Sequence, residues 1–571
     1  MRISRRLLAS LAVGGVAAGS LTLAGPAGAA ATITLDPIGS TGALGAGAAE
    51  IVAFDPVTKR AFVTNDSGSL TRIDVWDLTN PATPASAGTF DLSPYGTSVQ
   101  SVAVRNGKVA VAVAPAAFNA KGSVVVFTAS TLTLLGTAEV GYLPDAISFT
   151  PDGTKVVTAD EGQPGCNLAA VVDVPGSVSI VDVSGAGPVF PVTQATFNAS
   201  HLVPGLRTNL TVPASPNDIE PEYVVISDDG STAYVTLQEN NAIATVDIAS
   251  ASVTAIGVLP SKDHSLPGMG LDPSDRDSAG NGASISIVNR PVRGMPMPDG
   301  IAQFTVGATT YLATANEGDA REYPTCFTRD DPRLSAIDLD NTVFGATEAI
   351  LKGDGPNGMG RLRVSRTDGD LGTDGDIDVI HSFGTRSMGI YLPDGTQVGD
   401  TGDTLEQFFA ANYPAAFNTD AEGTAFDGRS PAKGPEPEAV VVATINGTPY
   451  AFLGIERMGG IATFDLTNPA TPVLADYVNP KLEPAVQPGD GDGGPEGLAF
   501  VAAADSPTGT PLLIVANEVS GSTTIYEITQ TPDPTIVIPE VPMAVLLPLS
   551  ALALAGGAAV LVRRRDALRL A

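Results

Sequence analysis

Pro221-Glu222-Tyr223-Val224-Val225-Ile226, then Asp228-Asp229-Gly230, then Ala233-Tyr234-Val235-Thr236-Leu237-Gln238-Glu239 is the stretch whose reading decides the fold. Two β-branched and aromatic runs flank an Asp-Asp-Gly turn signal, the pattern of a tight β-hairpin. The same unit recurs. Pro144-Asp145 leads through Pro151-Asp152-Gly153 to Asp160-Glu161, and Pro298-Asp299 leads to Asn316-Glu317. Pro437-Glu438 leads to Ile455-Glu456, and Pro495-Glu496 to Asn517-Glu518. Glu50 to Asn65-Asp66 is an earlier copy, and Gln100 through Val113 is a degenerate one.

Counted from Glu50, Gln100, Asp145, Glu222, Asp299, Glu438 and Glu496, there are seven units. A third strand-like run follows each, such as Ala242 to Ile248, and a fourth follows most, such as Val253 to Val258. Seven antiparallel four-stranded units in series predict an all-β chain folded as a seven-bladed β-propeller. The last unit stops at its third run, Thr524 to Ile528, while Thr32 to Leu35 belongs to no unit. That N-terminal strand is expected to take the fourth place and close the ring, which removes the open sheet edges. One spacing departs from the rest. Residues 353–433 exceed an ordinary blade and include strand-like Asp378 to Phe383 and Ser387 to Tyr391. They read as a surface insertion or, alternatively, as an eighth blade.

The composition narrows the function. Seven of the 31 basic residues and one of the 62 acidic ones lie in the two termini, so the stretch between carries 24 against 61, a net of −37. Such a surface repels nucleic acid and anionic lipid headgroups, and nucleic-acid binding is excluded. A hydrophobic content of 43% excludes a disordered acidic tail. With 62 glycines and 45 prolines the chain is rich in turns, as many short strands require.

Both ends read as addresses. Residues 1–29 have three arginines, an apolar run and Ala27-Gly28-Ala29, the layout of an export signal peptide by either the general or the twin-arginine route. The propeller domain is expected over 30–530 and a Pro-rich linker over 531–542. Met543 to Val562 is 20 residues without a charge, the length of a transmembrane helix, and Arg563-Arg564-Arg565 opens a basic tail, 563–571. The positive-inside rule puts that tail in the cytoplasm and the propeller outside, on the cell surface. The same layout also serves as a sorting signal that is clipped off.

In each hairpin the start of the first strand lies beside the end of the second. Asp145 is therefore expected near Glu161, Glu222 near Glu239, Asp299 near Glu317, Glu438 near Glu456, and Glu496 near Glu518. With the first strands innermost, these pairs gather on one face of a central channel. Close carboxylates repel and need a cation, a shared proton or arginines. A hard divalent cation, Ca²⁺ above all, is one answer, with these ten carboxylates as ligands. Salt bridges from Arg321, Arg386, Arg457 and Lys433 are another. Equally, Asp and Glu end strands and keep a surface soluble. Asp368-Gly369-Asp370 and Asp374-Gly375-Asp376-Ile377-Asp378 form a second acidic run that reads as a solvated loop or a calcium loop.

Cys166 and Cys326 lie beyond equivalent second strands. Export permits a disulfide between them, two free thiols being the alternative. His201, His264 and His381 are the only histidines and no Gly-x-Ser-x-Gly elbow is present, so nucleophilic catalysis finds little support. His264 reads as a polar loop residue.

Asn316-Glu317-Gly318-Asp319-Ala320-Arg321-Glu322-Tyr323, Lys262-Asp263-His264-Ser265-Leu266-Pro267-Gly268, Lys433-Gly434-Pro435-Glu436-Pro437-Glu438 and Gly493-Gly494-Pro495-Glu496-Gly497 together resemble the choice-of-anchor I family. That family of exported bacterial propellers is similar to the mesenchyme-specific cell-surface glycoproteins of animals. The resemblance implies a seven-bladed propeller fixed to the surface by an anchor that varies among members. Its animal relatives are associated with biomineralisation, which fits calcium handling. Some relatives carry alkaline-phosphatase labels, and the resemblance transfers no catalytic residues to this chain.

Two functions follow. The first is a monomeric, surface-anchored binding scaffold whose acidic face holds calcium or a cationic extracellular partner. The second is a calcium-dependent phosphoesterase in which Arg321 and Arg457 contact the phosphate.

Overall fold

The computed structural model describes residues 32–167, 170–208, 214–321, 329–372, 374–483 and 487–531. The predicted export signal and membrane span lie outside them, as does Cys326. Among the described residues no helix is long and apolar enough to cross a membrane. One compact unit, Ile33–Thr529, carries the fold; the other, Met1–Thr32 with Gln530–Ala571, lies almost entirely outside the described residues.

Seven four-stranded antiparallel sheets are present among the described residues. In chain order their first strands are Val52–Asp55, Ser98–Arg105, Pro144–Phe149, Pro221–Ile226, Ile301–Val306, Pro437–Ile445 and Pro495–Val501. These head blades 1 to 7. Within a blade the strands run in sequence order from the first outwards. Each first strand packs on the first strands of the blades before and after it, and blade 7 packs on blade 1. The cycle is unbroken. In blade 7 the fourth place beside Ser522–Thr531 is taken by Thr32–Ser40, from the opposite end of the chain. The architecture is all-β and propeller-like.

Local sequence explains the hairpins. Asn106-Gly107 joins Arg105 to Lys108 and Asn446-Gly447 joins Ile445 to Thr448, each as a two-residue turn. All four residues have positive φ (51°, 73°, 49° and 89°), as a turn matching the right-handed strand twist demands. The second strands, such as Lys108–Ala114 and Leu512–Asn517, are buried on both faces, and apolar residues meet between blades. Phe62, Ile73 and Val75 of blade 1 pack on Val111, Val113 and Phe127 of blade 2. Ile33 and Leu35 of the closing strand pack with Tyr526 and Ile528 onto Tyr450 and Phe452 of blade 6. Apolar clusters of this kind occupy all seven blade–blade interfaces.

The long inserted region differs from the expectation of one insertion over 353–433. Met388–Tyr391 is the third strand of blade 5, paired with Thr309–Ala315, and Gln397–Asp400 is the fourth. The additional chain is therefore divided. Residues 316–387 run between the second and third strands of blade 5, and residues 401–436 follow its fourth. His381–Phe383 lies in the inserted chain and joins none of the seven four-stranded sheets. It pairs in parallel with Arg293–Met295 in a small three-stranded sheet outside the seven. The insertion has its own apolar core, including Leu334, Leu339, Met359, Leu362 and Ile380, which is why it stands as a packed body and not a loose loop.

Candidate functional site

The acidic positions are placed by a recurring irregularity. The innermost strand slips register between Val99 and Ser101, Pro144 and Ala146, Pro221 and Val224, Pro437 and Val440, and Pro495 and Gly497. The residues passed over include Gln100, Asp145, Glu222, Glu438 and Glu496. A bulge bends its strand and re-aims the extra side chain, so one device serves five blades. Just ahead of the first-strand proline, Leu143, Met297, Glu436 and Gly494 have φ of 45°, 42°, 54° and 68°. Residues before proline ordinarily stay extended, so this strain is held at one topological position by the surrounding fold.

The second strands deliver the other carboxylates to the same end. Pro144 lies opposite Asp160, Pro437 opposite Ile455, and Pro495 opposite Asn517, one residue short of Glu161, Glu456 and Glu518. The residue preceding the glutamate is pinned. Asp160 accepts hydrogen bonds from the hydroxyls of Thr158, Ser177 and Ser179 at 2.7, 2.8 and 2.6 Å. Asn316, fully buried, accepts from Thr314 and donates to Thr385.

These carboxylates act on one another within and across blades. Burial first, then Glu239 and Asp145, pushes Glu161 well above the usual carboxylate range. Burial, then Glu239 and Glu161, does the same to Glu222. Asp299 is raised by burial and Glu317, Glu438 by burial and Glu456, and Glu496 by burial, Glu50 and Glu518. Asp145 is pushed up to about 6 and Glu50 to about 7, burial again leading. In blade 2 the neutral amide of Gln100 donates to Asp145 at 3.4 Å and interrupts the acidic series.

The closest groupings include one expected hairpin pair, Asp299 with Glu317, and otherwise join carboxylates of different hairpins. Three sets of carboxylates each place one oxygen from every member within 4.8 Å of the others. They are Glu161, Glu220 and Glu239; Asp299, Glu317 and Glu438; and Glu317, Glu436 and Glu456. Each set spans two neighbouring blades. Glu220 and Glu436, both fully buried, were not among the expected site residues. Their signal was present, as Glu-Pro-Glu occurs at 220–222 and again at 436–438. Asp145, Glu222, Glu496 and Glu518 belong to none of the three sets, although Asp145, Glu222 and Glu496 share their electrostatic field.

Cations compensate the sets unequally. Lys433 reaches Glu317 at 2.5 Å and Asp319 and Glu436 at 3.5 Å. Arg457 holds Glu436 at 2.9 Å and Glu456 at 2.6 Å, and Arg429 also grips Glu436. These three cations hold the Glu436 carboxyl down at about 2 against the effect of burial. The first set has less. Arg321 reaches Asp218 at 2.6 Å and Glu220 at 3.3 Å, and among the described residues no ion pair touches Glu161 or Glu239. The second oxygens of Glu222, Glu239 and Glu456 are buried without a hydrogen-bond partner among the described residues. A buried carboxylate oxygen without a partner is costly, and a hard cation is one of few groups that satisfies it.

Other expected residues lie elsewhere. Arg386 is not at the acidic face; its guanidinium binds Glu406 at 2.7 Å and donates to the main-chain carbonyls of Asp272 and Ser430. His264 is not a solvated loop residue either. It is 1% exposed, its Nδ1 lies 2.7 Å from the Met269 carbonyl, and burial pulls its pKa to about 3. Asp368 is tied to Arg207 at 2.8 Å, and the acidic run around it forms no carboxylate trio among the described residues. Cys166 is disulfide-bonded.

The choice-of-anchor I domain profile matches residues 50–469. The chain belongs to the choice-of-anchor I family. Among curated proteins it is similar to Gigasin-3a of Magallana gigas, 29% identical over 184 residues, covering 30% of this chain and 64% of that protein. It is also similar to the mesenchyme-specific cell surface glycoprotein of Strongylocentrotus purpuratus, 26% identical over 254 residues, 38% of this chain and 31% of that protein. The chain thus spans less than two thirds of either curated relative. Among solved structures it is similar to the β-propeller domain of Cps50 (Swd1) from Myceliophteria thermophila, with 9% identity, TM-score 0.41, 87% of this chain and 100% of that one. A chain of the mitotic checkpoint complex gives 10% identity, TM-score 0.43, 92% of this chain and 98% of that one.

Proposed function

We propose that the protein is an extracellular binding scaffold, displayed on the cell surface, whose acidic channel face holds a divalent cation, Ca²⁺ by the chemistry of its donors. The seven sheets serve as the blades of a seven-bladed propeller. Residues 1–29 direct export and residues 543–562 anchor the chain in the membrane. Family membership supports surface display.

One observation carries the cation reading. Glu161, Glu220 and Glu239 converge within 4.8 Å, all buried, and one oxygen of Glu239 has no hydrogen-bond partner among the described residues. Three anionic oxygens from two blades form an all-oxygen donor set of the kind a hard cation takes. The set Glu317, Glu436 and Glu456 is a poorer candidate, because Lys433, Arg457 and Arg429 already neutralise it. The phosphoesterase alternative is weaker for the same reason. Arg321 and Arg457, the groups that would meet a phosphate, are engaged by Asp218, Glu220, Glu436 and Glu456.

Calorimetric titration of chelator-treated protein with Ca²⁺ tests the reading. Saturable binding that Glu161→Gln weakens is expected. Unchanged binding in that variant would remove the site, and no binding by the native chain would remove the cation.

A further inference from the structure

A cavity of about 130 Å³ opens within the inserted chain, between Gly318–Ala320, Arg329, Arg363 and Arg429–Lys433. Its wall carries Arg329, Arg363, Arg429 and Lys433 against only Asp319 and Asp331. That excess of positive charge stands out in a chain whose formal net charge is −31. We propose that this cavity binds a tetrahedral oxyanion group, phosphate or sulfate, carried by an extracellular ligand.

The donors are only partly spent inside the protein. Arg363 uses Nη1 on Asp331, reaching its carbonyl at 2.8 Å and its carboxylate at 3.2 Å. Its Nε and Nη2 donate to nothing among the described residues. Arg429 directs both Nε and Nη2 at one oxygen of Glu436, which leaves Nη1 over. Both side chains are about a third exposed, at 32% and 29%. A guanidinium fork with an unused edge is the group best matched to an oxyanion. Donors arriving from Arg363 and Arg429 on different segments, with the charge of Lys433 beside them, suit a tetrahedral acceptor better than a planar carboxylate.

The crowding of like charges points the same way. Arg333 donates to the main-chain carbonyls of Arg361 and Pro431. Burial, then Arg363 and Arg361, pulls its pKa to about 10. An anion beside Arg363 would relieve Arg333 of that repulsion. The cavity also adjoins the acidic face, because Lys433 both lines it and binds Glu317.

The test titrates the full chain, in chelator, separately with inorganic phosphate and inorganic sulfate, so that calcium binding cannot contribute. Saturable binding of one ion is expected, and which ion binds distinguishes a phosphorylated from a sulfated ligand. Arg363→Gln should weaken it about ten- to a hundredfold, the value of a hydrogen bond to a charged group. Arg105→Gln, in the blade 2 turn, should leave it unchanged. If Arg363→Gln fails to fold, Arg429→Lys keeps a charge on Glu436, removes the fork and should weaken binding similarly. Absence of saturable binding of both ions, or equal binding by the folded variants, would overturn the proposal.

Discussion

Replacing Glu239 by Gln should make the metal-free protein more stable and the calcium-bound protein no better. Glu239 is 4% exposed and shares a 4.8 Å sphere with Glu161 and Glu220. Two unit charges at that distance repel by about 3.5 kcal/mol at an effective dielectric of 20 and by about 1 kcal/mol in water. Part of this is already relieved, because burial and Glu220 raise the Glu239 carboxyl and it takes up a proton more readily, while Arg321 works against that rise. The amide carries no charge at any pH, so the expected gain at pH 8 in chelator is about 1–3 kcal/mol. For a unit near 500 residues, an unfolding entropy of roughly 2.1 cal/mol/K per residue makes each kcal/mol worth about 1 °C. Glu239→Gln should therefore melt about 1–3 °C above the native chain in chelator. Saturating Ca²⁺ at a hundred times its Kd adds about 2.7 kcal/mol to the native chain, which offsets nearly all of that difference or more. Scanning calorimetry of both proteins, with chelator and with Ca²⁺, reads all four values. A variant that melts below the native chain in chelator, or that keeps the full calcium gain, refutes the reasoning.

Three further outcomes follow from the same structure. Glu456 and Glu50, raised to about 8 and about 7, hold protons in the folded state that the unfolded chain releases near 4.5. Stability in chelator should therefore fall as pH rises through that interval, by about 1.4 kcal/mol per pH unit for each such group; a melting temperature that climbs from pH 5 to pH 8 would contradict it. Lys433→Met strips the cation from Glu317, Asp319 and Glu436, which should cost about 3–5 kcal/mol in urea unfolding, with Glu317→Gln restoring part. Ile33→Ala leaves a hole in the apolar cluster under the closing strand. It should cost about 2–5 kcal/mol and expose residues 32–40 to protease, and unchanged proteolysis would count against the strand's closing role.

How far the sequence carried can be seen residue by residue. The hairpin was legible because Pro-acid, Asp-Gly and the closing glutamate recur with little change at 144–161 and 221–239. The closing strand was legible because Thr524 to Ile528 had no successor while Thr32 to Leu35 had no unit. Met388–Tyr391 was not recognised as a third strand because residues 316–387 intervene, and strand periodicity carries no memory of which sheet a strand joins. Glu220 and Glu436 precede the prolines that open the first strands, so they lie outside the hairpin whose register reveals the other acids. Hairpin register predicts neighbours along a blade. The three carboxylate sets instead arise from neighbouring blades converging on the axis, a radial geometry that no linear spacing encodes.

The strand exchange in blade 7 ties the two ends of the chain into one sheet. Thr32–Ser40 is made before every blade, yet it has no sheet partner until Ser522–Thr531 exists. Completion of the ring is thus the last folding event available to the chain, and every shorter product retains an unpaired edge. The seam works as a quality check on length. A chain stopped early leaves Thr32–Ser40 without its sheet and open to proteases and chaperones, whereas a finished one pairs it in blade 7.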